Sequence, residues 1–540
     1  MKDVSLEQYL LQTVVADGWR VVGVRQHHGV NVFLSALHSS SSSGIGEFLD
    51  LLPMIDWCEK IGMDIIQLLP LNDSCSDPSP YNTISSCALN PIYLKLSALP
   101  YLDQYPHLVS AIASMAPYNA FARIAYAEVL ATKMQWLRSY YDEIAPRLEK
   151  DPHFFHFQSL FPWVETYSLF KALGIFFGVS GWEEWPKDYH SPTPEKRTQL
   201  LEEHRTEVTF HTALQYFCFQ QLRQVREHAE RHKIFIKGDV PILINRNSAD
   251  VWHAPHFFDL NHTAGAPPDQ YSLEGQSWGF PLFDWEVMRK EDYRFWCQRL
   301  QAAHHFYHLY RIDHAVGFFR IWGIPLHRLS KDGYFIPDDP TKFLEQGKHI
   351  LGVLAAKAPM LPIAEDLGSV PPEVRTCLAE MGIPGTRVMR WEVDWTRNRT
   401  KNQTGYRHPY LALEEYSPLS MTCVSTHDSE TLGEWWKTHP KQASQLAHQK
   451  NWHYTPVLSQ EHRKELLQDS HRTASLFHIN LLQEYLALFP ELVADAPEDE
   501  RINIPGTLLP SNWTYRYRPS VETLTTHKGL LLAMQSLVAP

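Results

Sequence analysis

Cysteine is scarce in this chain. Cys58, Cys75, Cys87, Cys218, Cys297, Cys377 and Cys423 are the seven in 540 residues, and none forms a C-x-x-C pair. This excludes a zinc ribbon or a disulfide framework and points to free thiols in a reducing compartment. No run approaches the ~18 apolar residues that a membrane span needs. Residues 1–19 carry Glu7 and Asp17 and lack an apolar core with a small-residue cleavage site, so no secretory signal is expected. A cytoplasmic location follows. Positive charge is in deficit as well: 49 Lys+Arg against 61 Asp+Glu leave a formal net charge of −12. Bulk attraction to nucleic acid or an anionic membrane is thereby excluded.

Several motifs are also missing. There is no G-x-x-x-x-G-K-[ST] phosphate loop, Gly44-Ile45-Gly46 lacks the third glycine of a dinucleotide fingerprint, and Gly178-Val179-Ser180-Gly181 is one residue short of a nucleophile elbow. His228 and His232, like His304 and His308, stand four apart on helical stretches. With no adjacent catalytic Glu and no third ligand in the sequence, each pair reads as a solvated or packed helix face. No metal and no cofactor are expected.

What is present is ordinary globular material, 44% hydrophobic, 20% charged and 12% aromatic. The length allows about three or four domains of roughly 150 residues, or one heavily decorated barrel. Apolar, β-branched runs recur at Val30–Leu37, Asp64–Leu71, Ile234–Leu243, Leu309–His314, Leu361–Asp366, Gly385–Trp391 and Met421–His427, with helical spacing between them. Such alternation predicts an α/β fold with a parallel sheet covered by helices. Seven strands, with an eighth placed near Ile502, favour a closed (β/α)8 TIM barrel, a doubly wound sheet being the other option. Residues 72–232 are too long for a βα loop and contain several helical patterns. They predict an inserted, mainly helical subdomain between the second and third strands of a single barrel unit spanning 1–540. Ser39–Ser43 reads as a solvated linker.

Three strand ends carry acids. Arg311 and Asp313 are two apart, so on a strand they share a face, and a guanidinium keeps its neighbour ionised as a nucleophile requires. Glu365-Asp366 ends an apolar run. Burying adjacent acids is costly unless one is protonated or they face different partners, which suits a general acid of raised pKa. His427-Asp428 ends a third such run. Singly, each reads as an ion pair or a capped turn; together, three carboxylates converging on one barrel mouth are what a glycosidase assembles. The segment from Gly265 to Trp285, rich in aromatics, Gly and Pro, offers flat apolar faces beside hydrogen bonders, as a sugar requires, and 255–290 is expected as a loop region over the cleft.

Arg311-Ile-Asp313-His314, Ala364-Glu365-Asp366-Leu367-Gly368 and Thr426-His427-Asp428, in that order, resemble the three catalytic regions of the 4-α-glucanotransferases, the amylomaltase or disproportionating-enzyme family (glycoside hydrolase family 77). The likeness continues in Gly44-Ile-Gly46-Glu-Phe48, Ser79-Pro80-Tyr81, Gly238-Asp239-Val-Pro241, Gly275-Gln276-Ser-Trp278-Gly279, and Arg501-Ile-Asn503-Ile-Pro505-Gly506-Thr507 with Asn512-Trp513, covering residues 25–518. It implies retaining transfer of α-1,4-glucan segments between maltooligosaccharides or glucans. Asp313 matches the nucleophile, Glu365 the acid/base and Asp428 the third acid. Arg311, Asp366 and His427 match residues around the same subsite, Tyr81 the aromatic platform beside it, and Gln276 and Trp278 the loop arching over the cleft; Asn503 and Asn512 are carried over with them. Ser429-Glu430 departs from the family's usual Asn-Asp. An α-amylase-like hydrolase would use the same acids, and a catalytically silent glucan-binding protein would keep the aromatics; the resemblance favours neither. The oligomeric state is not legible.

Overall fold

A computed structural model describes residues 5–268, 273–394 and 409–539. Eight parallel strands close a barrel: β1 (His27–Val32), β2 (Ile65–Leu68), β3 (Phe235–Val240), β4 (Leu309–Ile312), β5 (Leu361–Ala364), β6 (Gly385–Val388), β7 (Ser420–Cys423) and β8 (Phe477–Leu481). They follow one another round the barrel in chain order, β8 closing against β1 through His27↔Phe477 to Asn31↔Leu481. Seven of the expected strands are in place, and the fold is the (β/α)8 TIM barrel.

The eighth strand corrects the reading of the sequence. It lies at Phe477–Leu481, and Ile502 sits in an irregular segment instead. Phe-His-Ile-Asn-Leu runs directly into the helix Leu482–Leu486, so its apolar residues merge with a helical pattern. Its polar members bond outside the strand: His478 Nδ1 is 2.7 Å from Ser470 O, and Asn480 accepts from Val424 N.

Between β1 and β2 runs helix α1 (Leu51–Ile61), whose buried residues Leu51, Met54, Ile55, Cys58 and Ile61 recur at three- and four-residue intervals and which ends on left-handed Gly62. Between β2 and β3 the chain passes through helices Pro106–Ile112, Tyr126–Leu148, Pro152–Leu160, Trp163–Phe177 and Pro194–Glu203, then returns along the barrel wall as α2 (Arg205–Arg231). The apolar stripe Phe210, Leu214, Phe217, Leu222, Val225 and Ala229 packs α2 inward.

The serine run is no solvated linker. Ser39, Ser42 and Ser43 are buried, the hydroxyls of Ser39 and Ser42 donating to Asp50 at 3.0 and 2.8 Å. Beside them Glu47 and Asp50 meet two lysines: Lys133 Nζ, on the helix Tyr126–Leu148, is 2.8 Å from Glu47, and Lys95 Nζ is 3.1 Å from Glu47 and 2.9 Å from Asp50. This buried network ties the first βα turn to the segment inserted after β2. Gly46 is needed there because a Cβ would lie 1.8 Å from Leu34 O.

Part of the 255–290 region expected as loop is sheet. Strands His262–Ala266 and Gln276–Ser277 pair antiparallel, and the first also pairs with Ile321–Pro325, which pairs with Tyr334–Ile336. The pairing of His262–Ala266 with Ile321–Pro325 joins segments far apart in sequence, which local pattern does not reveal. Residues 269–272 of the aromatic segment lie outside the described residues.

Candidate active site

The register explains why acids meet. Asp239 on β3 pairs with Arg311 on β4, so both side chains point to the same face, and Asp313, two residues on, follows it. Arg311 Nη1 donates to both oxygens of Asp239 at 3.1 and 3.0 Å and stands 2.8 Å from Asp313 Oδ1, while Nη2 is 3.7 Å from Glu365 Oε2. One guanidinium thus spans three carboxylates. Burial works against its charge, but Asp239, Tyr81, Asp313 and Glu365 raise its pKa well above the ordinary value and hold it protonated.

The β4–β5 ladder continues beyond the strands: Glu365 N donates to Ile312 O and Ala315 N to Glu365 O. Between these bonds the chain turns through His314, whose φ of 45° is left-handed. That turn aims the His314 amide at Glu365 Oε2, 2.9 Å away, while Leu367 N donates to Oε1 at 2.9 Å. Burial raises the Glu365 carboxyl to about 7, assisted by Asp313 and opposed by Arg311 and the two amides. A carboxyl so poised exchanges a proton near neutrality.

Asp428 is set the other way. Burial raises it, but neighbouring His427, the amide of Asn503 and Arg311 outweigh this and hold it at about 2. Asn503 Nδ2 donates to Asp428 Oδ1 at 2.7 Å, and His427 Nε2 lies 3.2 Å from Oδ2. Tyr81 stacks on His427 at 5.3 Å and donates its hydroxyl to Asp239 Oδ2 at 2.8 Å. Trp278 meets His314 edge-on at 5.1 Å, and its Nε1 donates to Gln276 Oε1. Asp313, Glu365, Asp428, Arg311, His427, Tyr81, Gln276, Trp278 and Asn503 are therefore joined by direct contacts around one mouth.

Asp366 and Asn512 are not part of this ring. Asp366 is buried and turned away from Glu365, accepting from Thr386 N at 2.7 Å and facing Arg387 at 2.9 Å. The adjacent acids are thus accommodated by pointing at different partners. Asn512 accepts from Ile504 N and donates to Thr507 O, holding the turn that follows Asn503. The departure at 429–430 is also structural: Ser429 Oγ accepts from Thr426 N, and Glu430 pairs with Arg390 at 3.0 Å and Arg501 at 3.6 Å. Two residues quoted in the sequence motifs without a role also join the site, Asp239 and Trp513, the latter packing on Tyr81 at 5.5 Å and His427 at 5.9 Å. Asp239 ends an apolar strand in an acid, the signal carried by the other three.

A closed parallel barrel with an arginine-bridged carboxylate cluster at the C-terminal ends of its strands defines the class of barrel enzymes that act on glycosidic bonds. Comparison with known proteins narrows this. A family model described as 4-alpha-glucanotransferase matches residues 32–523. The 4-alpha-glucanotransferase of Chlamydia caviae is 43% identical over 513 residues, 94% of each chain, and that of Thermus thermophilus is 30% identical over 87% of this chain and 90% of its own. The amylomaltase of Streptococcus agalactiae, solved with acarbose, shares the fold with a TM-score of 0.77 at 24% identity, covering 95% of this chain and 99% of its own. The chain belongs to the 4-α-glucanotransferase family, and its activity is that of a transferase of this type. No helix among the described residues is long and apolar enough to cross a membrane.

Proposed function

We propose that this transferase moves α-1,4-glucan segments between maltooligosaccharides by retaining double displacement, with Asp313 as nucleophile and Glu365 as acid/base. The observation that carries the reading is the bond from His314 N, the residue after Asp313, to Glu365 Oε2. Arg311 reaches both carboxyls as well, Nη1 2.8 Å from Asp313 Oδ1 and Nη2 3.7 Å from Glu365 Oε2.

In the first half-reaction Asp313 attacks the anomeric carbon as the glycosidic C–O bond breaks, and the Glu365 proton passes to the departing 4-oxygen. In the second, Glu365, now a carboxylate, takes the proton from the 4-hydroxyl of an acceptor sugar, whose oxygen displaces Asp313. Asp428, ionised throughout this range, binds ring hydroxyls of the donor sugar with contacts that tighten as the ring distorts. Tyr81 and Trp278 supply apolar faces that hold an acceptor and limit water. Asp366 and Asn512 act as positioning residues, the first fixing the turn after β5, the second the turn bearing Asn503.

The complex of the Streptococcus agalactiae relative with acarbose supports a carbohydrate as the ligand class. The seven unpaired cysteines support a reducing, cytoplasmic setting. Incubation with maltotriose and separation of the products tests the reading. Glucose with a ladder of longer maltooligosaccharides is expected. Shortening alone identifies a hydrolase, and unchanged maltotriose a binding protein.

A further inference from the structure

Two helices of the barrel wall end side by side at the face opposite the carboxylate cluster. α1 stops at Ile61 just before β2, and α2 at Arg231 just before β3, so both C-termini lie at the N-terminal ends of the strands. There Asp56, His228 and His232 bring one ligand atom each to within 4.8 Å of one another. His228 Nε2 is 2.6 Å from Asp56 Oδ1, and His232 Nε2 is 3.5 Å from the same oxygen. The His232 Nδ1 lies 2.8 Å from Glu59 Oε2.

The geometry points to a divalent transition-metal site of the Zn2+ class held by Asp56, His228 and His232. Histidines four apart on a helix face the same side, and Asp56, invisible to sequence spacing 172 residues earlier, is the third ligand that the helix alone lacks. Glu59 completes it: a carboxylate on Nδ1 fixes the tautomer that leaves Nε2 bare toward the metal. Two nitrogens and one carboxylate oxygen suit Zn2+, Co2+ or Ni2+, whereas Ca2+ and Mg2+ demand all-oxygen shells. The negative ends of two helix dipoles favour a cation at this place. All three ligands are partly exposed, which leaves solvent to fill the remaining coordination position. Bound there, the metal bridges α1 and α2, the helices that run into β2 and β3. Arg231 Nη2 approaches His228 Nδ1 at 3.3 Å and must turn away when that nitrogen carries the proton.

The test uses full-length protein without a polyhistidine tag, stripped by EDTA and titrated with ZnCl2 and CoCl2. One equivalent is expected to bind with tetrahedral-type Co2+ visible absorption and to raise the melting temperature. His232→Gln should weaken binding more than a hundredfold and abolish the thermal shift, Glu59→Gln should weaken it about 10–100-fold, and Arg231→Ala should not weaken it. Equal binding by the parent and His232→Gln proteins would mean that metal sits on other histidines and overturns the site. No binding tighter than millimolar overturns it too, leaving His232 as a ring held between Asp56 and Glu59. Maltotriose turnover, measured on the same samples, is expected to be unaffected by His232→Gln, so a failure here is separate from any failure of the catalytic reading.

Discussion

The amide of His314 donates to Glu365 Oε2 at 2.9 Å, so the residue next to Asp313 directly holds the opposing carboxyl. The placing of Glu365 relative to Asp313 thus depends in part on backbone geometry at the β4 turn.

In the proposed first step Glu365, raised to about 7, has to be protonated. The plot of kcat/KM against pH should therefore show an alkaline limb near 7, activity falling as the acid loses its proton. Because Arg311 favours the ionised form, Arg311→Met should move that limb to higher pH while lowering kcat. A limb that stays in place in Arg311→Met would refute the assignment of Glu365 to it.

Asp313→Asn should lose turnover by about three orders of magnitude or more while still binding maltooligosaccharides, since the proposed nucleophile is replaced by an amide of the same shape. Isothermal titration with maltotetraose beside product analysis separates the two effects. Near-normal turnover would remove Asp313 from the mechanism.

Asn503→Ala deletes the 2.7 Å bond to Asp428 and leaves that carboxylate less well held. Loss of one hydrogen bond to a charged group, about 1.5–3 kcal/mol, corresponds to roughly a 10–150-fold fall in kcat/KM. An Asn512→Ala protein should instead show its first effect in thermal stability, because Asn512 bonds only to the 504–507 turn.

Inside the barrel Lys237 is completely buried, its Nζ donating to Gln67 Oε1 at 2.8 Å. Burial, then the charge of Arg311, lowers its pKa to about 7. The unfolded chain keeps this proton up to ~10.4. Between those values the unfolded state binds more protons, so this group makes folding more favourable as pH rises from about 7 toward 10. Lys237→Met should remove that slope, read from urea unfolding at several pH values.

Lys133→Met breaks the buried pair with Glu47 that joins the first βα turn to the inserted helix Tyr126–Leu148. A cost of about 3–5 kcal/mol is expected from the carboxylate left underpaired, measurable by urea unfolding. Lys95, 3.1 Å from Glu47, puts the value at the low end.

Periodicity in the sequence was enough for seven strands and the barrel, because each apolar run is buried on both sides and punctuated by helices. The acids Asp313, Glu365 and Asp428 were legible for a related reason: a charge at the end of such a run has to sit at the barrel mouth. The eighth strand escaped because His478 and Asn480 break its apolar run, which merges with the helix that follows. The burial of Ser39, Ser42 and Ser43 was equally hidden, since nothing in a serine run announces that Asp50 lies beneath it. So were the pairing of Asp239 with Arg311, a matter of register between neighbouring strands, and the turning of Asp366 onto Arg387. Strand type and the chemistry carried at strand ends are local and can be read from the chain. Which groups pair, and hence which of two adjacent acids faces the cleft, depends on contacts between residues distant in sequence, and only the closed barrel decides them.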